Sequence, residues 1–171
     1  NWHELRKIAD KYKITLINDN CHAMGSLYKG RKDYAVTYAD LVTQSYHPVK
    51  HITTGEGGSI LSNNNDLINK IRLLSSHGTI KKNNDFDDKN PPWKYEMIEL
   101  GYNYRITDIQ CALGCSQLKK LDNFINKRRN IARIYDEAFK DVKGFIIPNA
   151  SNEVKHSYHL YPIQIDFEYF N

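Results

Sequence analysis

Lys50 stands in the stretch SYHPVKHITTGEGG, Ser45 to Gly58, after a segment that reads as a strand end and before a glycine-rich loop. An ammonium at a buried ligand-binding edge loses solvation and its pKa falls. The neutral amine then condenses with an aldehyde as a Schiff base. Composition alone favours the plainer alternative, a solvated surface lysine. His47 and His51 would be metal ligands if they shared a helix face, but Pro48 argues against a helix, so no metal site is expected.

Asp19 and His22 form a second group, behind the apolar run Ile14 to Ile17. A carboxylate can keep a pyridine nitrogen protonated, which makes the ring an electron sink, and a nearby imidazole can hydrogen-bond a phenolate oxygen. In isolation the same two residues fit a turn-capping Asp and a backbone-satisfied His. The loop glycines Gly55, Gly57 and Gly58 permit unusual backbone conformations, yet the loop lacks the ending of a P-loop and is not a dinucleotide fingerprint.

These groups need elements to position them. Leu5, Ile8, Ala9 and Tyr12 recur at helical spacing, and Ile14 to Ile17 reads as a buried strand. Asp19 then falls at a strand's carboxyl end, where open α/β sheets bind ligands. Leu41 to Tyr46 and Ser59 to Leu61 read as strands flanking the Lys50 loop, and Asp66 to Leu74 as a helix. Residues 26 to 39 carry no clear period. Residues 75 to 103 form a long polar connection containing KKNNDFDDKNPP, which suggests a substrate or interface loop. Thr107 is a good N-cap for one helix, and a second helical stretch runs from Phe124 to Phe139. Phe145 to Pro148 and HLYPIQIDF look like strands of a further unit. The expected division is 1–143 and 144–171.

The 171 residues carry 24 Lys+Arg against 20 Asp+Glu, a net charge of +4, with 40% hydrophobic residues. That composition suits a folded soluble chain and excludes collagen-like and grossly disordered classes. No run approaches the length of a membrane span, and the amphipathic N-terminus is no secretory signal, so a cytoplasmic protein without membrane contact is expected. Cys21, Cys111 and Cys115 have no CxxC spacing and are expected to be reduced thiols. The charge is too weak and mixed for nucleic acid, although Lys127, Arg128 and Arg129 are locally basic. The chain begins without Met in a helical pattern and ends after a strand-like segment, so it reads as an internal piece of a longer protein.

The strings LINDNCHAMGS, ADLVTQSYHPVKHITTGEGG, SHG and LGYNYRITDIQCALGCSQLKKLD occur in this order and span most of the chain. Together they resemble the DegT/DnrJ/EryC1/StrS family of pyridoxal-phosphate sugar aminotransferases. HPVKHITTGEGG and GYNYRITDIQ are most similar to the branch that aminates UDP-linked 4-keto-6-deoxy-N-acetylhexosamines on the route to pseudaminic acid. The resemblance implies an α/β architecture of the PLP-dependent transferase fold type I (aspartate aminotransferase-like). Residues 1–143 would be the C-terminal part of the large PLP-binding domain with its interdomain helix, and 144–171 the beginning of the small domain.

It also implies roles. Lys50 would form the Schiff base with pyridoxal 5'-phosphate and shuttle the proton, and Asp19 would pair the pyridine nitrogen. His22 would lie beside the phenolic oxygen and Ser45 would hold the phosphate. Asn103 would reach the phosphate of a neighbouring subunit, supported by Arg105, in a homodimer with shared sites. The partners would be a UDP-linked keto sugar and an amino-acid donor, glutamate, used in ping-pong order. Lys81, Lys82 and Arg105 are candidates for the nucleotide diphosphate, although a solvated face is the plainer and favoured alternative. Related dehydratases carry His in place of the lysine, so Lys50 favours transamination.

The chain departs from the pattern at Gln44, Ser45 and Tyr46, where FSF is common, and at Ala39, where Gly is frequent. The family's upstream phosphate turn and ring-stacking aromatic have no counterpart here, which leaves about half a site. An inactive truncated fragment or interaction module of the same fold is the alternative. An anion- or nucleic-acid-binding domain built on Lys127 to Arg129 is a further one, and would show strongly salt-dependent binding.

Overall fold

The computed structural model describes residues 1–81, 91 and 93–170. Helix α1 (Trp2–Tyr12) begins where the Asn1 side chain accepts from the Glu4 N–H and ends where Lys13 adopts a left-handed conformation at φ 52°. These caps satisfy end groups that the helix itself cannot. Strand β1 is Ile17–Asp19, later than the expected Ile14 to Ile17. The reason is local: Asp40 accepts from the Leu16 N–H at 2.7 Å, and the Asp40 N–H donates to the Leu16 carbonyl. Leu16 therefore pairs with Asp40, and the ladder starts only at Ile17. Arg6 holds the same carboxylate at 3.0 Å and so ties α1 to this junction.

The stretch without a clear period contains β2 (Leu27–Tyr28) and the short helix α2 (Tyr34–Tyr38). Strand β3 (Leu41–Ser45) runs parallel to β1, with Ile17 opposite Leu41 and Asp19 opposite Thr43. Strand β4 (Gly58–Leu61) then pairs antiparallel with β3, from Val42 against Leu61 to Ser45 against Gly58. The sheet order is thus β1-β3-β4, with Val42 fully buried at its centre. Tyr28, Tyr34, Ala35 and Ala39 pack around Val42, joined by Trp2 and Leu16. Successive strand residues face opposite ways, so buried Asn18 fixes Asp19 on the exposed side.

Helix α3 (Asn65–Ser75) is capped by Asn64, whose side chain accepts from Asp66 and Leu67. Strands β5 (Thr79–Ile80) and β6 (Glu96–Met97) pair within the long connection. Gly78 is required before β5: its φ is 64° and a side chain there would meet the Glu99 carbonyl. Most of KKNNDFDDKNPP, Lys82 included, lies outside the described residues; Lys81 is exposed.

Thr107 caps α4 (Asp108–Leu118) in a full capping box with Gln110, as its position predicts. Helix α5 (Leu121–Phe139) follows directly and buries Ile125 and Ala132, seven residues apart on one stripe. Strands β7 (Phe145–Ile146), β8 (Val154–Lys155) and β9 (Gln164–Ile165) and the one-turn α6 (Phe167–Phe170) complete the chain. Strand β7 pairs with β9, whereas β8 pairs with β2. The alternating run HLYPIQIDF forms strand only at Gln164–Ile165, because Pro162 offers no N–H for a ladder. Among the described residues no helix is long and apolar enough to cross a membrane. The three cysteines are free thiols.

Candidate active site

The loop 46–57 leaves β3 and returns as β4, and it is closed by its own backbone. Tyr46 donates to the Gly57 carbonyl at 2.8 Å, and its carbonyl accepts from the Thr54 N–H at 3.0 Å and from the Thr53 hydroxyl. Inside this closure the chain turns at Pro48, with the Lys50 N–H on the His47 carbonyl. The turn excludes a helix here, so His47 and His51 do not share a face. Gly57, at φ 153°, lies against the Thr54 hydroxyl and Ile106, and Gln110 donates to the Glu56 carbonyl at 2.9 Å. The glycine-rich loop therefore rests on the start of α4, which brings together two motifs far apart in sequence.

Asp19 projects from the end of β1. It accepts from the Cys21 N–H at 3.1 Å and, at 3.5 Å, from the Thr43 hydroxyl across the parallel pair. Hydrogen bonding from Cys21, through its thiol and then its backbone, holds the Asp19 carboxyl below the usual carboxylate range, and His22 adds to the effect. The carboxylate is thus ionised at neutral pH. Burial pushes the Cys21 thiol up, beside the same carboxylate.

Lys50 is half-buried, and its charge is felt at both Cys21 and His159. Asp19 is within electrostatic reach of His22, and Lys50 is within reach of Cys21 and His159, so these residues fall in one neighbourhood near the ends of β1 and β3. Ser45 ends β3 beside them and accepts, at 3.4 Å, from the His47 N–H. Asn103 stands on the connection before α4, exposed, its backbone bridged to Ser76; Arg105 beside it is also exposed.

Sequence reasoning missed the segment 155–159. Arg129 donates to the carbonyls of His156, Lys155 and Gly25, and Arg128 to those of Tyr158 and His159. Two of the three residues read as a basic patch thus face backbone carbonyls. The Ser26 and Ser157 hydroxyls meet at 2.8 Å in the interior. This clamp sets the His159 ring 4.2 Å from that of His22 and 5.7 Å from that of His51. No spacing in the sequence signals the contact, since it joins residues more than a hundred positions apart.

His51 is 3% exposed, and neither ring nitrogen makes a hydrogen bond of good geometry. Burial, then the charges of Arg128 and His159, lower its pKa from 6.5 to about 4, against a weaker opposing contact with the Ser157 backbone. The unfolded imidazole takes up its proton near 6.5 and the folded one only near 4. The stability that neutral His51 contributes is therefore complete above pH 6.5 and is lost as pH falls towards 4. For the full-length protein, His51→Leu should reduce the loss of unfolding free energy between pH 7 and 4.5 by roughly 2–3 kcal/mol. Urea denaturation at both pH values measures this, and an unchanged difference would contradict the neutral buried imidazole.

Residues 1–171 match the DegT/DnrJ/EryC1/StrS aminotransferase family. The UDP-4-amino-4,6-dideoxy-N-acetyl-beta-L-altrosamine transaminase of Campylobacter jejuni is 48% identical over 98% of this chain and 42% of its own length. The solved Helicobacter pylori aminotransferase involved in the biosynthesis of pseudoaminic acid superposes with a TM-score of 0.87 at 34% identity, over 99% of this chain and 43% of that one. A Streptococcus pneumoniae protein described as a candidate sugar aminotransferase, solved in its PLP form, superposes with a TM-score of 0.82 at 26% identity, over 97% and 45%. The chain thus spans about two fifths of the length of the curated relatives it matches.

Proposed function

The chain belongs to the DegT/DnrJ/EryC1/StrS aminotransferase family, with its fold type I α/β architecture, and from that premise we propose that the full-length protein is a PLP-dependent sugar aminotransferase. It moves an amino group from an amino acid, glutamate, to a nucleotide-linked 4-keto-6-deoxy sugar. The observation that carries this reading is that Asp19, at the end of β1, and Lys50, on the loop after β3, both act electrostatically on Cys21, while His22 acts on Asp19. Identity to the Campylobacter jejuni transaminase supports a UDP-linked N-acetylhexosamine as acceptor. In this reading residues 1–143 belong to the large domain and 144–171 open the small one.

The donor set fits pyridoxal phosphate: an ionised carboxylate, an amine and an imidazole lie in one neighbourhood near the strand ends. When bound, that cofactor supplies an aldehyde for amines and a pyridinium ring that accepts electron density from the carbon losing its proton. Asp19 holds a proton at the ring nitrogen, and its hydrogen bonds from Cys21 and Thr43 keep it charged for that purpose. His22 hydrogen-bonds the phenolic oxygen, and Ser45 binds the phosphate. Lys50 would hold the cofactor at its aldehyde carbon, and its amine is the group that would carry the proton at the substrate carbon.

Asn103 completes the phosphate site of a second subunit, with Arg105 supporting its loop. Leu100 and Ile109, 86% and 84% exposed on either side of Asn103, and the stacked rings of Tyr102 and Tyr104 supply apolar surface for such a homodimer.

The test is the separated half-reaction of the full-length protein loaded with PLP. Glutamate alone should yield about one equivalent of 2-oxoglutarate per site and bleach the visible absorbance, as a ping-pong order requires. A UDP-linked 4-keto-6-deoxy-N-acetylhexosamine should then restore it. Production of 2-oxoglutarate only when both substrates are present would overturn the ping-pong order, and no amino transfer from any donor would overturn the activity.

A further inference from the structure

His159 lies on a segment whose backbone is fixed independently of its side chain. Arg128 and Arg129 on α5 bind the carbonyls of 155, 156, 158 and 159, and Ser157 is tied to Ser26. The ring lies between that of His22, at 4.2 Å and tilted by 48°, and that of His51, at 5.7 Å and tilted by 50°. Its Nδ1 is buried and has no hydrogen-bond partner. A buried nitrogen without a partner is unfavourable, so packing and backbone, not the ring's own hydrogen bonding, determine where it sits.

The groups facing it are His22 from the segment after β1, Lys50 and His51 from the loop 46–57, and Arg128 from α5. Burial first, then the charges of His22, Lys50 and Arg128, lower its pKa to about 4, so the ring is neutral at physiological pH. A protonated ring would be repelled by Lys50 and Arg128.

Resting on the reading of His22 as a cofactor-binding residue, we propose that His159 is a positioning residue: its ring, held by the Arg128 clamp and backed by His51, fixes the plane in which His22 presents its imidazole. His22 is itself exposed and ends no strand, so nothing in its own element restrains its ring to one orientation. An aromatic pair of this kind gives the restraint.

The experiment compares His159→Ala with His159→Phe in the full-length protein, the second keeping a ring without nitrogens. Loss of the ring should weaken PLP binding about three- to tenfold, the range an aromatic pair accounts for. The Phe variant should stay within about twofold of wild type by the same reasoning. In the apoprotein carrying isotope-labelled histidine, wild type should show a ring-to-ring nuclear Overhauser contact between His22 and His159. In the Ala variant the His22 side chain should lose its single rotamer, read from averaged Hα–Hβ couplings, which a merely structural role would not cause. Absence of that contact in wild type, or equal PLP affinities for the Ala and Phe variants, overturns the proposal. If the Ala variant does not fold, the wild-type contact and the Phe affinity still decide. A protein that takes up no PLP yet shows the contact and, in the Ala variant, the rotamer averaging would remove the cofactor reading and leave the positioning role standing.

Discussion

Full-length protein carrying Lys50→Ala loses amino transfer by roughly 10^4-fold or more, because a positioned proton-transfer group by itself contributes up to about that factor. The same residue also supplies the anchoring amine, and among the described residues no other lysine lies on the loop 46–57 that follows β3. Borohydride treatment, which fixes an aldehyde to a lysine, should label wild type at Lys50 and leave the variant unlabelled. His47, in the same turn, has its Nε2 3.8 Å from Glu56 and, as an imidazole, is no substitute for an amine. Turnover within tenfold of wild type, or borohydride labelling at another lysine, would remove Lys50 from the reaction.

The second large effect is expected at Asp19. Asp19→Asn keeps the shape and the contact with the Cys21 N–H but removes the negative charge. A neutral amide does not hold a proton on a pyridine nitrogen, so the ring no longer draws electron density from the reacting carbon. The turnover number should fall about 10^2- to 10^3-fold, the scale typical of losing one preorganised electrostatic partner. PLP should still bind, since Lys50, His22 and Ser45 are untouched. Near-normal turnover would show that the ring nitrogen needs no carboxylate. Loss of PLP binding altogether would make Asp19 structural.

The two positions differ in how far the sequence reveals them. Lys50 is marked by a strand pattern, a proline and a glycine-rich loop within a few residues, all local signals. Asp19 is marked by its place at the end of an apolar run. That strand starts later than its apolar residues suggest, because Asp40, distant in sequence, accepts from the Leu16 N–H. Helix ends were legible for the opposite reason: the Thr107 and Gln110 capping box lies within one turn, and its chemistry is complete in the sequence.

Periodicity and capping determined the helices α1, α3, α4 and α5 and the strands on either side of the Lys50 loop, since their hydrogen bonds close between near neighbours or follow the alternation of side chains. The quoted motifs determined the family. Only the tertiary structure decided what Arg128 and Arg129 do, because a run of basic residues carries no record of the carbonyls it will meet. It alone brought His159 near His22 and Lys50, and it left the alternating residues after His159 mostly exposed, with one short strand. These outcomes depend on long-range packing around buried Ile125, Ala132 and Ser157, where burial and backbone hydrogen bonding outweigh the local pattern.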